Sequence, residues 1–264
     1  MQTKKEWVIQ YAKAGYVAKG MVYCLVGVLT AMYALGLGGG KASKTQAMTT
    51  VKELPGGSFL LSILAVGLMG YSLWRLLQAL LDTENKGQDA KGIGKRLAYA
   101  FSGVLYGSIA FAAFKMGMGQ GSHAQDGSSQ QTAVAELLTK PFGKWLAVLV
   151  GLGIIGNGVY QLVRAFKSSF MKHVHGLPAG QYHLLERAGK TGYASRGIVF
   201  GIIGYLFIKA ALDQNPQEAA GTSGAFGFLE SSPMGSWLLA AVAIGLVGYG
   251  IFMFVRARYS QFSF

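Results

Sequence analysis

Lys13-Ala14-Gly15-Tyr16-Val17-Ala18-Lys19-Gly20-Met21-Val22-Tyr23 decides the fold of this chain, because its pattern returns twice. Arg96-x-x-Tyr99-x-x-Ser102-Gly103-x-x-Tyr106 and Lys190-x-x-Tyr193-x-x-Arg196-Gly197-x-x-Phe200 keep the same spacing. Each copy is answered by a second apolar segment. These are Pro55-x-Gly57-x-Phe59 … Gly67-x-x-Gly70-x-x-x-Trp74-x-x-x-Gln78, Pro141-x-Gly143-x-Trp145 … Gly153-x-x-Gly156-x-x-x-Tyr160-x-x-x-Arg164 and Pro233-x-Gly235-x-Trp237 … Gly245-x-x-Gly248-x-x-x-Phe252-x-x-x-Arg256. Columns of different chemistry held in register point to a two-helix unit present three times. The units run 5–82, 90–168 and 182–259 within one membrane domain, 1–264.

The chain is 52% apolar and only 13% charged, against roughly 25% charged in globular proteins. Apolar windows run from Gly15 to Leu37, Phe59 to Leu81, Leu97 to Met118, Trp145 to Phe166, Thr191 to Leu212 and Trp237 to Val255. Each is close to the roughly 20 residues that cross a bilayer. The fold expected is all-α and polytopic, with six transmembrane helices in three parallel-repeat hairpins. Two helices per unit give every copy the same orientation, so the expected symmetry is pseudo-threefold about the membrane normal. Lys4-Lys5 before the first apolar window resembles a secretory leader, but Tyr16, Gly20 and Tyr23 belong to the repeat, so helix one is expected to be retained.

A net charge of +13 suggests nucleic acid until its distribution is read. Of the 24 Lys and Arg, only Lys41, Lys44, Lys52, Lys115, Lys140, Lys144 and Lys209 fall to the first, third and fifth loops. The rest lie with the termini and the second and fourth loops, which is the positive-inside signature of a cytoplasmic-membrane protein with both termini inside. Lys86 and Lys172 are therefore expected to face the cytoplasm, and Lys44 and His123 to face outward. The expected partners are membrane lipids, anionic phospholipids first, and no nucleic acid.

Lys13, Tyr16, Gly20, Tyr23 and Gly27 follow helical spacing along one stripe. Small residues in such stripes let helix backbones approach in lipid. Gly20, Gly27, Gly103 and Gly197 in the odd helices, and Gly67, Gly70, Gly153, Gly156, Gly245 and Gly248 in the even ones, are expected at helix contacts. Phe59 to Gln78 rises about 28 Å at 1.5 Å per residue, which marks an aromatic belt at Phe59, Trp145 and Trp237 and a basic inner end at Gln78, Arg164 and Arg256. Lys13, Lys19, Arg96, Arg164, Lys190, Arg196 and Arg256 are expected to touch lipid headgroups by snorkelling, or else an anion. Ser58 and Ser236 are candidate helix caps. Met48/Val51, Val134/Leu137 and Phe226/Leu229 predict a short amphipathic helix in each outer loop.

Little here carries chemistry. His173, His175 and His183 near Glu186 make a weak metal pattern. No acidic residue lies centrally in a window, and no nucleophile-base pair or phosphate loop appears. Asn157 is the most central strong hydrogen-bonding group, and Lys115 and Lys209 align near the outer ends. Cys24, the one cysteine, reads as a small packing residue. No catalytic residue, cofactor or metal site is expected.

The basic-x-Gly-Tyr-x-x-Arg/Lys-Gly-x-x-Tyr pattern, the Pro-x-Gly turns and the three-hairpin layout resemble the bacterial membrane family known as domain of unknown function 1206. The resemblance spans nearly the whole chain. Copy two departs from it at Ala98 and Ser102. It implies a bacterial integral membrane protein and brings no activity or ligand with it. The function expected is a non-enzymatic structural or accessory component of the cytoplasmic membrane, with a protein partner or self-association left open. The alternative is a channel or transporter for a small solute or anion along the pseudo-threefold axis.

Overall fold

The computed structural model describes residues 2–38, 44–53, 55–83, 87, 89–119, 128–174 and 179–260. Three long-short-long helical units follow one another: α1 (Gln2–Ala34), α2 (Lys44–Glu53) and α3 (Gly57–Leu81), then α4 (Ala90–Gly117), α5 (Ser128–Leu138) and α6 (Gly143–Phe166), then α7 (Ala179–Leu212), α8 (Thr222–Glu230) and α9 (Gly235–Tyr259). Six segments, Ala12–Ala34, Gly57–Leu81, Gly92–Gly117, Gly143–Phe166, Gly180–Leu212 and Gly235–Tyr259, are long and apolar enough to cross a membrane. By length and composition the chain is an all-α, multi-pass membrane protein.

The short helices α2, α5 and α8 occupy the first, third and fifth loops and turn the expected apolar pairs inward, Leu137 only partly. Met48, Val134 and Phe226 are almost fully inaccessible. The even helices start differently from expectation. Their caps are Gly56, Phe142 and Met234, all left-handed (φ 74°, 59° and 59°) and without side-chain cap bonds, whereas Ser58 and Ser236 lie inside the first turn. In each Pro-x-Gly the middle residue turns the chain left-handed. The glycine then passes so close to the end of the short outer helix that a methyl on Gly57, Gly143 or Gly235 would overlap the carbonyl oxygen of Val51, Leu137 or Glu230. The recurrent glycine is needed for that contact rather than for φ.

Packing follows the sequence less simply. The most extensive contacts join α3 to α4, α6 to α7 and α9 to α1, across unit boundaries. Odd-helix glycines line those contacts. A methyl on Gly20 would stand 2.9 Å from the carbonyl oxygen of Gly250, one on Gly103 3.2 Å from that of Ser72, and one on Gly197 2.9 Å from that of Gly158. Gly27 lies as close to α9, 2.7 Å from the carbonyl oxygen of Ala243. Within a unit, α1 packs on α3 and α7 on α9. There Gly67 meets Ala18, Gly245 meets Ser195 and Gly248 meets Ala188, while Gly70 is buried.

The middle unit breaks this rule. α4 and α6 barely meet, and no described atom lies within 4 Å of a methyl placed on Gly153 or Gly156. These two glycines, expected at a helix contact, face open space. The cause is legible at one column. A methyl on Gly15 would stand 2.5 Å from Tyr71 Cβ, and one on Gly192 2.5 Å from Tyr249 Cα, so glycine is what lets α1 and α7 lie against their own partners. Copy two has Ala98 there. The six spans therefore form a ring open on one side, between α4 and α6.

Candidate functional site

Five cations converge inside the ring. Lys19 comes from α1, Arg75 from α3, Arg164 from α6, Arg196 from α7 and Arg256 from α9, and all line one pocket of about 110 Å³. Lys19, Arg196 and Arg256 are buried to between 3% and 8% exposure. These side chains, expected to snorkel outward, turn inward instead, because a tyrosine on a neighbouring helix receives each: Tyr71 of α3 for Lys19, Tyr249 of α9 for Arg196 and Tyr16 of α1 for Arg256.

Lys19 Nζ donates to the Tyr71 hydroxyl at 2.9 Å and lies 4.5 Å and 4.7 Å above the rings of Tyr71 and Tyr106. Arg75 Nε donates to the same hydroxyl at 2.8 Å, and its Nη1 to Gln78 Oε1 at 2.9 Å. Arg196 Nη1 donates to the Tyr249 hydroxyl, and its guanidinium lies over the rings of Tyr249 (4.3 Å) and Tyr23 (5.1 Å). Arg256 stacks on Tyr16 at 4.6 Å and Arg164 on Tyr193 at 4.7 Å. Cation-π contacts of this kind are worth roughly 0.5–2 kcal/mol, most when desolvated. They soften the cost of burying charge without cancelling it, because a ring carries no countercharge.

Among the described residues no Asp or Glu lines this pocket. The Nε atoms of Arg196 and Arg256 have no hydrogen-bond partner among the described residues. Arginine stays ionised at any working pH, and a buried charge without a partner is costly. The unmet demand is therefore for anionic oxygen.

Aromatic rings close the pocket. Tyr23 and Tyr106 hydroxyls meet at 3.2 Å across the bundle. Below, Phe170 in the 3-10 turn Ser169–His173 is fully buried, stacked on Tyr193 (5.0 Å) and edge-on to Phe252 (4.9 Å). The departures of copy two gather here. Ala98, Ser102 and Asn157 stand where the other units carry Gly15 and Gly192, Lys19 and Arg196, and Tyr71 and Tyr249, and all three line the pocket. The smaller side chains Ser102 and Asn157 leave the room that the other two units fill.

The remaining basic residues have local work. Arg96 donates to the carbonyls of Ala79 and Leu80 at 2.8 Å and 3.1 Å, which closes the C-terminal end of α3. Lys190 pairs with Glu186 at 2.9 Å. Lys13 is half-buried near the start of the first span. Lys209 pairs with Glu218 at 2.9 Å, and Lys115 lies over Phe111. Cys24 is half-buried against Val247. Arg75 was not singled out by the repeat, since Gln161 and Met253 occupy its column. Its four-residue distance from Tyr71, on one helical face, was the available signal. His183 lies edge-on to Tyr182. His123, His175 and Lys86 lie outside the described residues, as do the side chains of Lys44, Lys172 and His173. Among the described residues no three His, Cys, Asp or Glu come together to hold a metal.

Beside the pocket, and sharing Ala98, Phe101, Leu105, Asn157, Arg196 and Phe200 with it, a larger crevice of about 1070 Å³ occupies the space between α4 and α6. Val104, Val150, Ile154, Ile203 and Phe207 make it apolar, and Gln130, Glu136 and Lys140 on or just after α5 line its outer end.

No solved structure matches this chain. It is 35% identical over 262 residues to the uncharacterized protein YxxB of Bacillus subtilis (strain 168), covering 98% of this chain and 94% of that one. The family described as Domain of Unknown Function (DUF1206) matches at residues 14–82, 97–168 and 191–260, one segment per helical unit, and the chain belongs to that family.

Proposed function

We propose that this protein is a non-enzymatic accessory component of a bacterial cytoplasmic membrane that binds an anionic group in its cation and tyrosine pocket. The observation that carries this reading is the convergence of Lys19, Arg75, Arg164, Arg196 and Arg256 on one pocket with no lining carboxylate among the described residues, the buried Nε of Arg196 and of Arg256 finding no partner among them. Anionic phospholipids are the first candidates for such a partner. The basic excess at the termini and at the second and fourth loops supports an orientation with both termini in the cytoplasm. The three boundary contacts at Gly20/Gly250, Gly103/Ser72 and Gly197/Gly158 recur at equivalent positions, which supports a pseudo-threefold arrangement about the membrane normal. The crossing of Tyr23 and Tyr106, with Lys19 among the rings, favours holding an anion over passing one along the axis.

The test is thermal unfolding of the full chain in mild detergent, titrated with glycerol 3-phosphate and with dioleoyl phosphatidylglycerol, against zwitterionic dioleoyl phosphatidylcholine. A ligand at 100 times its Kd stabilises by about 2.7 kcal/mol. Stabilisation by at least one anion, abolished in Arg196→Gln plus Arg256→Gln, is expected. Equal response to phosphatidylcholine, or none to either anion, refutes the reading.

A further inference from the structure

Resting on that anion-binding reading, we infer that the ligand is a lipid ending in a phosphate monoester, which enters sideways between α4 and α6 and lays its acyl chains in the crevice. Three independent observations meet here.

First, the pocket and the crevice are continuous, and their chemistries are those of the two ends of one amphiphile. The inner end is cationic, and the walls beyond are apolar. From Arg196 to Phe207, the length of α7 that the crevice follows, is about 16 Å at 1.5 Å per residue. That is about half of a hydrocarbon core roughly 30 Å thick, the depth one leaflet's chains occupy.

Second, the opening faces lipid. Phe101 and Val104 on α4 are 57% and 66% exposed, and Gly153 on α6 has no neighbour within 4 Å. In the first and third units the same glycine column is filled, by Ala18 against Gly67 and by Ser195 against Gly245. The middle unit alone leaves a doorway the width of a missing helix contact.

Third, the charge asks for more than one negative oxygen. Five cations line a single space of about 110 Å³. A phosphodiester brings one negative charge. A phosphate monoester brings about −1.5 to −2 at pH 7 and three strong acceptor oxygens, an acceptor for each of the Nε atoms that Arg196 and Arg256 leave without a partner among the described residues.

The experiment measures binding to the full chain in mild detergent by thermal shift and by native mass spectrometry. Dioleoyl phosphatidic acid, dioleoyl phosphatidylglycerol and glycerol 3-phosphate are the probes. Phosphatidic acid is expected to bind at least tenfold more tightly than either of the others. Gly153→Leu plus Gly156→Leu fills the doorway and leaves the pocket cations untouched. It should weaken phosphatidic acid at least tenfold and leave glycerol 3-phosphate unchanged. Val104→Trp, from the opposite wall, should do the same and guards against misfolding of the leucine variant. If glycerol 3-phosphate binds as tightly as phosphatidic acid and neither variant matters, the lipid inference is overturned while the anion reading stands. If phosphatidylglycerol equals phosphatidic acid, the monoester assignment is overturned. If no probe binds, both readings fall together.

Discussion

Lys19 and Tyr71, on α1 and α3, share one hydrogen bond of 2.9 Å at the closed end of the pocket, and the tyrosine hydroxyl accepts from Arg75 as well. One oxygen thus answers two cations. Tyr71→Phe keeps the ring and removes an acceptor that Lys19 and Arg75 share, at a cost of about 1–3 kcal/mol. The midpoint of thermal unfolding in detergent should fall accordingly, and a variant as stable as the parent would show that the shared hydroxyl contributes nothing.

The glycines divide into two kinds, and leucine tells them apart. Gly197→Leu drives a side chain into Leu162 and the backbone of Gly158, an overpacking that costs about 1–3 kcal/mol. Gly156→Leu meets nothing and should leave unfolding nearly unchanged. Equal losses in the two variants would mean that α4 and α6 close in the membrane.

Orientation is checked at two exposed positions at opposite ends of α6. In a Cys24→Ser background, Lys140→Cys should react with an impermeant thiol reagent added to intact cells, and Lys167→Cys should react only after the membrane is opened. The reverse pattern would invert the protein.

In the loop between α7 and α8, Glu218 is held below the usual carboxylate range by its hydrogen bond from Lys209, aided by that ammonium's charge. A depressed folded value means that the pair's stabilisation is present above the ordinary carboxyl value of about 4.3 and is lost as pH falls through the folded value. The gap in unfolding midpoint between the parent and Glu218→Gln should be small at pH 7, since the pair is largely solvent-accessible, and should shrink as pH falls below the ordinary carboxyl value and through the depressed folded one. A gap that widens in acid would reverse the sign.

Architecture was legible because long apolar helices and the short helices between them are written in periodicity and spacing, and the repeat supplied three readings of each. Met48, Val134 and Phe226 behave alike for that reason. The site was less legible, because a repeat averages away what distinguishes one copy. Ala98, Ser102 and Asn157 looked like losses from a pattern, and only their meeting at one place makes them a cavity. The direction of the cations was hidden too. Snorkelling and turning inward use the same residue at the same depth, and which wins depends on whether a neighbouring helix presents a tyrosine, as α3 does to Lys19 and α9 to Arg196. Likewise the spacing of Gly20 specified a close neighbour without saying that it would be α9.

That last contact bears on how the molecule is made. The ring closes where α1 meets α9, the first of the six spans to be synthesised against the sixth. During synthesis the glycine face of α1 must wait in the bilayer, its narrow groove filled by lipid, until almost the whole chain has been inserted. A stalled or truncated product ending after α7 would therefore be two separate pieces, α4 with α3 and α1, and α6 with α7, with the faces of α1 and α7 that α9 normally covers left bare. Such faces are what a membrane quality-control protease can distinguish from the finished ring.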